Sequence, residues 1–123
     1  MSDCIIISVH HTQRLDKYIT LWRPDDRGYC YRLPGVGRYD RSRVMGMLGY
    51  YNSGCANIAV DAAVVDSLAK PGDAADFDRD GIECLVVHNN AANWKRVLAA
   101  VVATPGHKPK PEYKGARRKK EAA

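Results

Sequence analysis

A chain of 123 residues with 46% hydrophobic side chains and a formal net charge of +5 suits one globular domain with a real core, and is too short for two. Its longest apolar run falls far below the roughly 20 residues that a membrane span needs, so no membrane partner is expected. Met1-Ser2-Asp3 leads straight into Cys4-Ile5-Ile6-Ile7 with neither a basic leader nor a small-residue cleavage site, which argues against secretion.

The charge is unevenly placed. From Thr104 to Ala123 there are seven Lys/Arg against two Glu, a net of +5. The other 103 residues carry twelve basic and twelve acidic side chains. Within them Arg14 to Arg43 is net +4 and Asp61 to Glu83 is net −5, so the neutral part is a dipole with a cationic tail. Such a tail either binds phosphate polymers by counterion release or only solubilises the chain. Cys4, Cys30, Cys55 and Cys84 are 26, 25 and 29 residues apart and form no C-x-x-C. Three of the four lie in apolar or aromatic runs, which reads as reduced, mostly buried thiols in a cytoplasm.

Cys4 to Val9 is a continuous isoleucine-rich run, the pattern of a strand buried on both faces. Tyr18 to Trp22 alternates, with Ile19 and Leu21 on one face and Tyr18, Thr20 and Trp22 on the other. Pro24-Asp25-Asp26-Arg27-Gly28 is turn chemistry, so Tyr29 to Leu33 should return as the second arm of a hairpin. Pro34-Gly35-Val36-Gly37 ends that arm. Asp40 is placed to cap a helix from Arg41 to about Leu48, stopped by Gly49, and Tyr50 to Cys55 reads as irregular. Ala56 to Val60 is a short strand, and Asp61 caps a helix over Ala62 to Ala69. An acidic loop, Asp73 to Gly81, precedes a strand at Ile82 to Val87. Asn89 or Asn90 caps the last helix, Ala91 to Ala103, whose Trp94, Val97, Leu98, Val101 and Val102 form one apolar face. The sum is an α+β fold: about five short strands in a mostly antiparallel sheet, three helices on one face, a single domain over 1–103, and a basic, disordered tail over 104–123.

The stretch Trp22 to Asn52 holds six of the ten aromatic residues, and five of the eleven arginines lie between Trp22 and Arg41. Aromatic faces interleaved with guanidinium groups make a stacking and hydrogen-bonding surface for a protein or a nucleic acid. Arg23, Arg27, Tyr29, Arg38, Tyr39, Tyr51 and Asn52 are its candidate binding residues. Lys108, Lys110, Lys114, Arg117, Arg118, Lys119 and Lys120 are the candidate nucleic-acid contacts of the tail. A plainer reading has Trp22 and Tyr29 lining a sheet face beneath a helix, with Trp22 and Trp94 as core neighbours.

Other motifs are weak. Asp76-Phe77-Asp78-Arg79-Asp80-Gly81 matches the start of a calcium loop, but its twelfth position is Val87 rather than a bidentate Glu; Asp76, Asp78 and Asp80 are otherwise an acidic surface turn. Pro34 to Ser42 is glycine-rich yet lacks both the Gly-Lys-Ser/Thr and the third glycine of a phosphate cradle. His10, His11, His88 and His107 read as ordinary loop and edge histidines. No nucleophile or zinc motif is present, and nothing calls for a cofactor.

The order Tyr18-Ile19-Thr20-Leu21-Trp22-Arg23-Pro24, Gly28-Tyr29, Gly37-Arg38-Tyr39, Tyr50-Tyr51-Asn52 and then Asn89 to Lys95 resembles short uncharacterised proteins encoded by bacteriophages and prophages. The resemblance covers residues 4 to about 100 and implies a bacterial host cytoplasm and an accessory role. Three readings follow. The first is a non-catalytic accessory protein that binds a host macromolecule, for instance to counteract host defence. The second is a nucleic-acid binder using the tail and the 22–43 surface, and the third a small enzyme with an unrecognised site. The absence of a catalytic motif favours the first over the third.

Overall fold

A computed structural model of the chain describes residues 3–78 and 81–116. The elements, in chain order, are β1 (Cys4–Ser8), β2 (Leu21–Trp22), β3 (Tyr29–Cys30), α1 (Arg41–Gly46), α2 (Leu48–Tyr51), β4 (Asn57–Asp61), α3 (Ala62–Ser67), β5 (Lys70–Pro71), α4 (Ala74–Phe77), β6 (Leu85–Val86) and α5 (Ala91–Ala99). β1 to β4 form one antiparallel sheet in the order β3-β2-β1-β4, and β5 pairs with β6 in a second. The fold is α+β with antiparallel sheets.

β1 is central because it has the most to bury. All five of its residues are inaccessible to solvent, and it pairs along its whole length with β4, from Cys4 opposite Asp61 to Ser8 opposite Asn57. Alternation then divides its side chains between two cores. Ile5 and Ile7 join Ile19, Leu21, Ile58, Val60, Val65, Trp94 and Val97, the side covered by α3 and α5. Cys4 and Ile6 join Trp22, Tyr39, Val44, Tyr51 and Ala59, the side covered by α1 and α2. The helices therefore lie on both faces, not on one. A strand buried at every position and apolar from Cys4 to Ile7 requires this, since a bare second face would leave Cys4 and Ile6 in water. It also separates Trp22 from Trp94, which sit on opposite faces instead of being neighbours.

The predicted hairpin forms, with Leu21 opposite Cys30 and Trp22 opposite Tyr29, and a tight 3-10 turn at Pro24–Asp26. Asp61 and Asn90 cap α3 and α5 as expected, accepting from the backbone N–H of Ala63 and Asn93. Asp40 stands at the N-cap of α1, but its carboxylate accepts from the Ser42 hydroxyl instead of the helix backbone. The helix expected over 41–48 breaks at Met47 (φ −139°) and restarts, so Tyr50 and Tyr51 are helical where irregular chain was expected. The expected strand at Ile82 to Val87 begins as a 3-10 turn, and only Leu85–Val86 pairs. α5 stops at Ala99, and Val101 then bridges to Val60 on the free edge of β4.

The segment that follows is held against the domain as far as Ala116, where composition predicted a loose tail from Thr104. The His107 N–H donates to the Ser53 carbonyl at 2.9 Å, Tyr113 packs on the Trp94 core, and Ala116 is buried. Gly54 permits the first of these contacts: its φ is +91°, and a Cβ there would lie 1.7 Å from the His107 carbonyl oxygen. Two buried asparagines complete the attachment. Asn52 donates from Nδ2 to the Ala103 carbonyl (2.8 Å) and accepts from the Ala59 N–H (3.0 Å). Asn89 donates from Nδ2 to the carbonyls of Gln13, Asp16 and Glu112, at 3.2, 3.0 and 3.1 Å, and accepts from the Trp94 indole at 2.6 Å.

Candidate functional site

Trp22 stands at the end of β2, and four tyrosines surround it: Tyr29 from β3, Tyr39 from the bridge beside β1, and Tyr50 and Tyr51 from α2. All four meet it steeply, with ring centroids 5.6–6.4 Å away and interplanar angles of 61–84°. This edge-to-face arrangement sets ring hydrogens against neighbouring π faces, which aromatic quadrupoles favour. Gly37 lets the chain approach here. A Cβ on it would sit 2.7 Å from the Arg23 carbonyl oxygen and 2.6 Å from the Tyr39 ring.

The hairpin turn is fastened to this cluster by Asp26. Its backbone N–H donates to the Tyr39 hydroxyl at 2.9 Å, and that hydroxyl donates to the Arg23 carbonyl. Its carboxylate accepts from the Tyr51 hydroxyl (3.2 Å) and from Arg43 Nη2 (3.4 Å). Arg43 Nε also donates to the Tyr51 hydroxyl (2.9 Å), and its guanidinium lies 5.6 and 5.8 Å from the Tyr39 and Tyr51 ring centroids. Burial pushes the Tyr39 phenol up to about 12 and raises that of Tyr51. Both therefore stay protonated, as their donor roles require.

Burial separates the candidate binding residues. Tyr39, Tyr51 and Asn52 are buried and hold the fold together, so they offer no accessible surface. Arg38 is exposed but engaged in a two-pronged ion pair, Nη1 to Asp66 Oδ2 at 2.9 Å and Nη2 to Oδ1 at 2.8 Å. Arg23 and Arg27 are exposed at the hairpin turn, and Tyr29 is 46% exposed. Asp26, Arg43 and Tyr50 belong to the same cluster and were missed by residue type alone. Tyr50 is 47% exposed although its ring meets that of buried Tyr51 at 4.9 Å, a difference that α2 sets and that residue type does not show. Met45 and Met47 are exposed large apolar side chains on the same short helical stretch.

Between the hairpin and α2 lies an open cleft of about 390 Å³ lined by Trp22, Asp26, Gly28, Tyr29, Tyr50 and Asn57. A roomier hollow of about 540 Å³ lies elsewhere, where Arg14, Lys110 and Glu112 bring both signs of charge together. That mixture gives it no single ligand chemistry, and the aromatic cleft is the better-defined site.

In the acidic loop Asp76 is tied to Tyr18 and Lys17. Asp76 lies in α4, where it accepts from the Tyr18 hydroxyl at 2.6 Å and from Lys17 Nζ at 3.0 Å. Those two donors, Tyr18 foremost, hold its carboxyl below the usual range. Asp78 takes the left-handed conformation at the end of α4, and Asp80 lies outside the described residues. No group of three or more His, Cys, Asp or Glu that could hold a metal ion occurs among the described residues. His88 contacts the Pro71 carbonyl, and His11 contacts the Ser8 hydroxyl and lies against the Tyr29 ring with centroids 4.1 Å apart. Lys108, Lys110 and Lys114 are exposed along the attached tail, while Arg117, Arg118, Lys119 and Lys120 lie outside the described residues. No helix among the described residues is long and apolar enough to cross a membrane. No protein-family model, curated protein or solved structure matches this chain.

Proposed function

We propose that this chain is a phage-encoded accessory module that acts in a host cytoplasm by binding a host protein, without catalysis, with counteraction of host defence as the kind of role it serves. The observation that carries the reading is the exposure of Tyr29 and Tyr50 on either side of a formed cleft, with Trp22 between them. Aromatic side chains half in water, beside the buried rings of Trp22, Tyr39 and Tyr51, are the typical anchors of protein interfaces. The phage origin rests on the sequence resemblance.

The experiment is capture of partners from bacterial lysate with the full chain, with and without nuclease. Beside the wild type would run Tyr29→Ala/Tyr50→Ala and a chain with Arg117, Arg118, Lys119 and Lys120 all changed to Gln. Truncation at Ala103 is a poor control, since Asn52, Asn89 and Ser53 bond to the segment it would remove or expose. A discrete protein that survives nuclease and the Gln changes, and is lost with the two tyrosines, supports the reading. Material lost with nuclease or with the tail charges overturns it in favour of nucleic-acid binding.

A further inference from the structure

We infer that the cleft beside Trp22 is a cage for a single cationic side chain, a guanidinium or an ammonium, presented by the protein partner. The inference rests on the binding-module reading and deepens it. Three aromatic rings line the cleft, and those of Tyr29 and Tyr50 are steeply inclined to Trp22, at 84° and 72°. A cation that enters a space lined by several aromatic rings is attracted by the negative π faces that it meets there. Among the described residues, the only ionisable group in the lining besides the tyrosines is Asp26, a carboxylate. Gly28 and Asn57 complete the lining and add no positive charge.

The protein already uses this chemistry next door. Arg43 lies against the rings of Tyr39 and Tyr51 and reaches Asp26 Oδ2. A cation in the cleft would meet Asp26 and the rings of Trp22, Tyr29 and Tyr50 without displacing Arg43, because Arg43 is not part of the cleft lining. Arg23 and Arg27 are absent from that lining as well.

The test is a titration of the full-length, isotope-labelled chain followed by the indole N–H signals in NMR. Trp22 reports the cleft and Trp94, on the other face, reports the fold. The probes are ethylguanidinium, tetramethylammonium, the neutral isostere tert-butyl alcohol, and sodium chloride at matched ionic strength. Expected is a saturable shift of Trp22 with one or both organic cations, with Trp94 unmoved and no comparable response to the alcohol or to salt. The two cations distinguish an arginine-like from a lysine-like occupant. Tyr50→Leu should weaken the binding about five- to thirtyfold. Asp26→Asn should weaken it too, in a chain whose Trp94 signal shows it folded; if that variant does not fold, Tyr50→Leu alone decides. An equal shift with the alcohol makes the cleft merely apolar and overturns the inference, as does a Trp22 signal that no probe moves. Either result alongside partner capture that still depends on Tyr29 and Tyr50 removes the cationic occupant and leaves the binding module standing. Loss of that capture removes the module itself.

Discussion

Trp94 and Trp22 are both buried, 1% and 6% exposed, on opposite faces of the same sheet, yet only one of them has its polar atom satisfied. The Trp94 indole donates to Asn89 at 2.6 Å, while the Trp22 Nε1 is buried with no acceptor among the described residues. An unmade hydrogen bond at a buried donor costs about 1–3 kcal/mol. The Trp94 face is thus built for order: a continuous aliphatic core, closed by an asparagine that ties α5, the 13–17 loop and the tail together. The Trp22 face is built from tyrosines that lean on one another at steep angles, and it stays open to a cleft. The Trp22 face thus combines an orphaned donor with exposed aromatic rings, where the Trp94 face has a satisfied donor and a closed core.

The largest break in the comparison should come from Asn89→Ala. It would remove the acceptor of the Trp94 indole and a donor to three main-chain carbonyls at once, of which Gln13 still accepts from the Asp16 N–H, at a cost on the order of 3 kcal/mol. Urea unfolding would measure it as a lowered midpoint with an unchanged slope. A loss below about 1 kcal/mol would mean that water replaces the side chain easily and that Asn89 is no staple. A sharper probe sets the two tryptophans against each other. Trp94→Phe strands the Asn89 carbonyl oxygen, whereas Trp22→Phe deletes a donor that already lacks a partner. The first should therefore be the more destabilising by about 1–2 kcal/mol. Equal losses, or a greater one at Trp22, would show that the steep ring contacts matter more than the missing hydrogen bond.

How far this contrast could be read in the sequence depends on range. Alternation placed Ile19 and Leu21 opposite Trp22, and the unbroken Cys4–Val9 run announced two covered faces; these follow from strand periodicity, which is local. The hairpin and the caps at Asp61 and Asn90 were legible for the same reason. The assignment of all helices to one face ignored what the Cys4–Val9 run already demanded. Asn89 was weighed only as a cap, because its real partners lie 73 and 76 residues before it and 23 after it, and no local pattern encodes them. The site was half legible. The aromatic richness of 22–52 was plain, but whether Tyr50 or Tyr51 faces water turns on the break at Met47, and the tail's hold on the domain turns on contacts with Ser53 and Asn89.

The smallest expected effect separates the faces by pH. Tyr39 and Tyr51, on the Trp22 face, have phenols raised by burial, Tyr39 to about 12, whereas a tyrosine in the unfolded chain ionises near 10. The buried cluster around Trp94 contains no buried tyrosine among the described residues. Below about pH 10 both states keep these protons, and the stability drawn from protonated, hydrogen-bonded phenols is fully present. As pH rises towards 12 the unfolded chain releases protons that the folded chain retains, so stability falls across that window. Tyr39→Phe should be less stable at neutral pH, because the donor to the Arg23 carbonyl is gone, yet lose less on going alkaline than the wild type. Tyr18 and Tyr51 remain in both chains and cancel from the difference. Unfolding curves taken across the alkaline window give both slopes directly. Parallel slopes would place the alkaline weakness away from Tyr39, and the Trp22 face would then differ from its opposite in packing and openness but not in its response to pH.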